Sequence, residues 1–190
     1  MDAHFWLILT KQNNGSFKSL SSKTTKNRQS KSSKEKPPNK SSRNRSNALN
    51  QNQEGSSPTT VIIGDSIIRN IQGWQLGKEV GHQVVVKFFA GATTSDMSYY
   101  LKPTLDKKPD QIILHASIND IGKLSPSEIA DNIVNLARET ESSTDVQVII
   151  SELVTRPDLS ASGDVDAVNK KLQKLCNQRQ WHFIRHDDIH

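Results

Sequence analysis

Val61-Ile62-Ile63-Gly64-Asp65-Ser66-Ile67-Ile68-Arg69 joins two different periodicities. Val61 to Ile63 are three consecutive β-branched apolar residues, which fit a strand buried on both faces. The run stops at Gly64-Asp65. Ile67, Ile68, Ile71 and Trp74 then recur at helical spacing, which predicts a helix opening directly after the strand. Ser66 thus stands at a strand-to-helix turn, where the first N–H groups of the helix lack partners. Two roles are open to it. It caps the helix, as serine commonly does. Or it is a nucleophile at the carboxyl end of a central strand, where open α/β sheets place their chemistry.

Around this stretch the 190-residue chain is unevenly charged. Residues 1–58 hold 11 Lys/Arg against 3 Asp/Glu, and residues 59–190 hold 14 against 17, so the net charge of +5 comes from the leader. Residues 11–58 are Ser, Asn, Lys and Gln with almost nothing apolar, too little to offset the entropy of ordering. The chain divides into a disordered basic tail, 1–58, and one folded domain, 59–190. Basic pieces of the tail, such as Lys23-Thr24-Thr25-Lys26-Asn27-Arg28 and Arg43-Asn44-Arg45, offer a weak contact to nucleic acid. No aromatic residue is interleaved with them for base stacking, which favours a solvated linker. The apolar run Phe5 to Leu9 is too short for a signal peptide and has no basic residue before it. It is also too short to span a bilayer. An intracellular chain without membrane contact is expected. The single cysteine, Cys176, excludes an internal disulfide and a cysteine-based metal site. Beside Leu172 and Leu175 it reads as a small core residue.

From Thr59 onward, apolar runs alternate with helical patterns. The strands are expected at Val61–Gly64, Val84–Phe89, Gln111–Ala116, Val146–Glu152 and Trp181–Arg185. A second helix, from about Ser95 to Leu101, ends before Pro103. The third opens on Ser125-Pro126-Ser127-Glu128, a capping box with Pro at the first helical position. Leu124 and Ile129 are spaced as its hydrophobic staple, and Ile129, Ile133, Leu136 and Ala137 make its apolar face. The fourth carries Val165, Val168, Leu172 and Leu175. Five strands alternating with helices imply a three-layer α/β/α fold around a parallel sheet in flavodoxin-like order, 2-1-3-4-5.

In such a sheet all carboxyl ends share one edge. Gly64-Asp65-Ser66 follows the first strand, Ala90-Gly91-Ala92 the second and Ser117-Ile118-Asn119-Asp120 the third. His186-Asp187-Asp188-Ile189-His190 comes near the end. Acyl transfer requires parts of these kinds: a hydroxyl nucleophile, an imidazole to take its proton, and a carboxylate to orient the imidazole. The N–H groups of Ser66 and Gly91 and the side-chain amide of Asn119 could meet a developing oxyanion. Taken singly, Gly91 is a turn glycine, Asn119-Asp120 a turn, His115 a packed strand residue and His190 a tail residue. Together they fall on one rim in the order the chemistry needs. A flavodoxin-like nucleotide site fits less well, because no Gly-rich phosphate loop is present.

Across residues 59–190 the sequence resembles the SGNH hydrolases, the GDSL-like esterase/lipase superfamily. Their Gly-Asp-Ser block matches Gly64-Asp65-Ser66. The glycine of their second block matches Gly91, and their Gly-x-Asn-Asp block aligns with Ser117-Ile118-Asn119-Asp120. Their Asp-x-x-His block can be laid on Asp187 to His190. The text around these blocks (Phe89-Ala90-Gly91-Ala92-Thr93-Thr94, Ile113-Leu114-His115, Arg156-Pro157-Asp158) is similar to an invertebrate branch that also occurs in retrotransposon-encoded proteins. The resemblance implies hydrolysis of small or acetylated esters without metal or organic cofactor. It implies Ser66 as nucleophile, His190 as base with Asp187, and an oxyanion hole of Ser66, Gly91 and Asn119, with Asp65 and Asp120 in support. Two departures stand out. Ser117 replaces the family glycine, so its side chain is expected to crowd the oxyanion site or shift Asn119. The family's Asp-x-x-His opens a final helix, whereas here it follows the fifth strand almost directly. Two readings stay open: Asp187 and His190 form the block, or the block lies downstream in a longer chain. A catalytically incomplete binding module with a basic tail is the rival to the enzyme.

Overall fold

In the computed structural model, residues 57–143, 145–154 and 162–186 are described. Strands β1 (Thr59–Gly64), β2 (Gln83–Phe88), β3 (Gln111–His115), β4 (Gln147–Ser151) and β5 (His182–Ile184) form one sheet in the order β2-β1-β3-β4-β5. Every neighbouring pair is parallel. The four helices are α1 (Gly73–Val80), α2 (Thr94–Leu105), α3 (Pro126–Ser143) and α4 (Ser162–Arg179). The sheet order and the alternation expected from sequence are both observed. The tail residues before Ser57 lie outside the described residues.

The strands read as unbroken apolar runs because both faces are covered. Val61, Ile63, Ile112, Leu114, Val148 and Ile150 point to a core shared with α2, α3 and α4. Their neighbours Ile62, Ile113, Ile149 and Ile184 point to the opposite core, with Ile68, Ile71, Leu76 and Val80. Cys176 is buried in the first core, and burial pushes its thiol up to about 11, so it is a packing group there. Helix α1 lies directly on the backbone of β2. A Cβ on Gly73 would stand 2.6 Å from the Val84 carbonyl oxygen, and one on Gly77 2.9 Å from that of His82.

Two helices differ from expectation. The Ile67–Trp74 pattern is not one helix: Ser66–Asn70 is a 3-10 turn, Ile71 and Gln72 are extended, and α1 starts at Gly73. The break turns Trp74 out to 60% exposure, over which the Lys78 ammonium sits 4.8 Å from the ring centre. Helix α2 runs through Pro103 to Leu105. Pro103 removes one amide donor from the ladder, but Leu101, Thr104 and Leu105 behind it are buried, and that packing holds the last turn. The α3 capping box is formed as expected. Ser125 N and Oγ both donate to Glu128 Oε2, at 2.9 and 2.6 Å, and Glu128 N donates to Ser125 Oγ at 3.3 Å. Those bonds, the side-chain one foremost, hold the Glu128 carboxyl below its usual range.

Candidate active site

The turn after β1 is shaped by its neighbours on either side of Ser66. Gly64 passes so close to β3 that a Cβ would stand 2.1 Å from the His115 carbonyl oxygen. The same oxygen accepts the Asp65 N–H at 3.3 Å. Asp65, almost fully buried, is the cap of the 3-10 turn: its Oδ1 accepts the Ile67 N–H at 3.0 Å. Capping therefore falls to Asp65 and not to Ser66. Ser66 is half-buried, and among the described residues neither its hydroxyl nor its N–H has a hydrogen-bond partner.

The loop after β2 turns at Phe89–Ala92, where the Ala92 N–H reaches the Phe89 carbonyl at 3.2 Å. Gly91 takes φ +77°, the left-handed region that a turn of this kind gives to glycine. Its N–H has no acceptor among the described residues, and the space beside its Cα is open.

The loop after β3 ties this turn in place. Asn119 Nδ2 donates to the Ala92 carbonyl at 2.9 Å. An amide has two hydrogens, so one is left for a second acceptor. Buried Asp120 accepts the Thr94 N–H at 2.8 Å on Oδ2, pinning the start of α2. Asp120 is thus a brace between two loops, and the half-buried Asn119 is held with its amide beside the Gly91 turn.

Ser117 explains why a glycine is the natural residue at its position. It has φ +105°, in the region that penalises a Cβ. It is fully buried, and its hydroxyl has no partner among the described residues. The expected displacement of Asn119 does not prevent the bond to Ala92. The cost falls on stability: Ser117→Gly is expected to raise it by about 1–2 kcal/mol, the relief of strain and of a buried orphan hydroxyl less the glycine's own entropy. A higher urea midpoint at unchanged slope checks this.

One part of the rim was missed in the sequence. His115 Nδ1 lies 2.9 Å from Ser151 Oγ, and that oxygen lies 2.8 Å from His186 Nε2. All three are buried. Burial, and after it the neighbouring His186, pushes the His115 ring down to about 3, so it is neutral at any ordinary pH. By sequence alone His115 is a packed strand residue and Ser151 one position of a strand. Asp187 and His190 lie outside the described residues. No helix among those described is long and apolar enough to cross a membrane.

No family model matches the chain, and no curated protein does. Solved structures do. The SGNH-hydrolase family esterase AlinE4 superposes with a TM-score of 0.57 at 18% identity, over 68% of this chain and 76% of that one. The psychrotrophic esterase EstA from Pseudoalteromonas sp., in a structure inhibited by monoethylphosphonate, gives 0.54 at 14%, over 68% and 78%. The lipase/acylhydrolase from Enterococcus faecalis gives 0.54 at 18%, over 66% and 74%. The chain therefore has the fold of the SGNH and GDSL esterases.

Proposed function

We propose that this chain is a serine ester hydrolase of the SGNH type, with residues 59–190 as its hydrolase unit and 1–58 as a basic leader. The observation that carries the reading is the division of labour in the turn after β1. Asp65 does the capping, and Ser66 keeps a hydroxyl and an N–H that no described residue engages, on the same edge as Gly91 and Asn119.

In this reading Ser66 Oγ attacks the ester carbonyl carbon and its proton passes to an imidazole. The oxyanion takes hydrogen bonds from the N–H groups of Ser66 and Gly91 and from the second hydrogen of the Asn119 amide. Collapse expels the alcohol, which recovers the proton. Water then attacks the acyl-serine, frees the acid and restores Ser66. His190 with Asp187 is the base assigned by the sequence pattern. Small or acetylated esters are the proposed substrates, as the family resemblance implies.

Asn119 gives the test. Asn119→Ala is expected to lower kcat for p-nitrophenyl acetate by about 10²–10³ with little change in KM, the usual loss for one oxyanion donor. Stopped-flow turnover of the two proteins checks it. Equal kcat for a folded variant would remove Asn119 from the hole.

A further inference from the structure

We propose that Ser151 is a positioning residue for the Ser66 turn, acting through His115. This inference rests on the reading of Ser66 as nucleophile.

The register that pairs Leu114 with Ile150 brings His115, the last residue of β3, beside Ser151, the last of β4. Ser151 pairs in turn with Ile184 on β5, two residues before His186. The Ser151 hydroxyl lies between the two imidazoles, 2.9 Å from His115 and 2.8 Å from His186. It has one hydrogen to donate, to one of the rings or to the Glu152 carbonyl 3.4 Å away, and a ring that does not accept it donates its own N–H to the oxygen. A neutral His115 suits either role, and the chain stays bonded in both directions.

The next links start from backbone N–H groups. The His186 N–H donates to Glu152 Oε2 at 2.7 Å, and the Glu152 N–H donates to the Ile184 carbonyl at 2.8 Å. The carboxyl ends of β4 and β5 are thereby laced together. On the other side, the His115 carbonyl accepts the Asp65 N–H and leaves no room for a side chain on Gly64. Whatever fixes His115 fixes the platform on which Gly64 and Asp65 rest, and Asp65 shapes the turn holding Ser66. Three polar side chains buried at 3%, 1% and 8% exposure are a costly way to fill a core. Their return is a restricted geometry, because each hydrogen bond made in a buried, low-dielectric site limits where its partners can sit.

The test compares the full chain with Ser151→Ala, Ser151→Thr and Ser151→Cys, reading two quantities. One is the rate of fluorophosphonate labelling. The other is amide hydrogen exchange at Asp65 and Ile67, which needs no reactive serine. Ser151→Ala is expected to label at least 10-fold slower. Its Asp65 and Ile67 amides should exchange at least 10-fold faster, while those of Ile62 and Ile113 change only as global stability does. Ser151→Thr, which keeps the hydroxyl, restores both readouts, and Ser151→Cys, a weak donor of similar size, falls between. A folded Ser151→Ala with unchanged Asp65 exchange and labelling overturns the proposal. If Ser151→Ala does not fold, normal exchange in Ser151→Cys overturns it and selective loss there supports it. Absence of labelling in the unsubstituted chain would count against the hydrolase reading alone, and the exchange data would still decide the role of Ser151.

Discussion

Gly64→Ala is expected to cost about 3 kcal/mol or more, and to leave little folded protein at 37 °C. The added methyl would stand 2.1 Å from the His115 carbonyl oxygen and 3.2 Å from Ile68 Cδ1. A flexible side chain can yield to such a contact, but this one is with backbone in the centre of the sheet. Relief requires β1 to part from β3, where Thr60 to Gly64 pair with Gln111 to His115. It would also break the Asp65 N–H bond to the same oxygen. Urea denaturation read by far-UV circular dichroism measures the loss. The glycine of the Gly-Asp-Ser block is thus required by strand approach, independently of any catalytic need. A variant as stable as the parent would mean that β1 and β3 sit further apart than described.

Ser66→Ala is expected to do the opposite: to leave the fold intact and abolish the activity. The Ser66 hydroxyl has no partner among the described residues and the cap bond belongs to Asp65, so stability should change by no more than about 0.5 kcal/mol. Loss of a nucleophile that acts as a unit with its base lowers kcat on the order of 10³–10⁶. A serine serving as a helix cap would give the reverse, a loss of about 1 kcal/mol and unchanged turnover. Thermal melts and p-nitrophenyl acetate hydrolysis of the same two samples separate the outcomes.

Much of this arrangement is legible in the sequence, because a parallel sheet obeys simple rules. Strands buried on both faces announce themselves as Val/Ile runs, and each carboxyl end falls on one edge. Ser66, Gly91 and Asn119 could therefore be brought together from their order alone. The Ser125–Glu128 capping box was legible for the same reason, being local. Failures came where tertiary packing overrode local preference. Pro103 ends an isolated helix, yet buried Leu101, Thr104 and Leu105 hold the turn around it. The isoleucines after Ser66 keep a helical period across two separate elements, and the break at Ile71 and Gln72, directly before Gly73, is set by the packing of that glycine on β2. The His115–Ser151–His186 chain was hidden because its members are 36 and 35 residues apart. Only the strand register, which the sequence does not state, makes them neighbours. Ser117 stands out in sequence as a departure from a family pattern, but its strain and its hydroxyl, unpartnered among the described residues, belong to a backbone angle.

Whether Ser66 is an activated nucleophile is decided by fluorophosphonate labelling of the full chain beside Ser66→Ala, with the adduct mapped by peptide mass spectrometry. One adduct, on Ser66, is expected in the parent and none in the variant. A folded parent that takes up no probe, or one labelled at another serine, would contradict it.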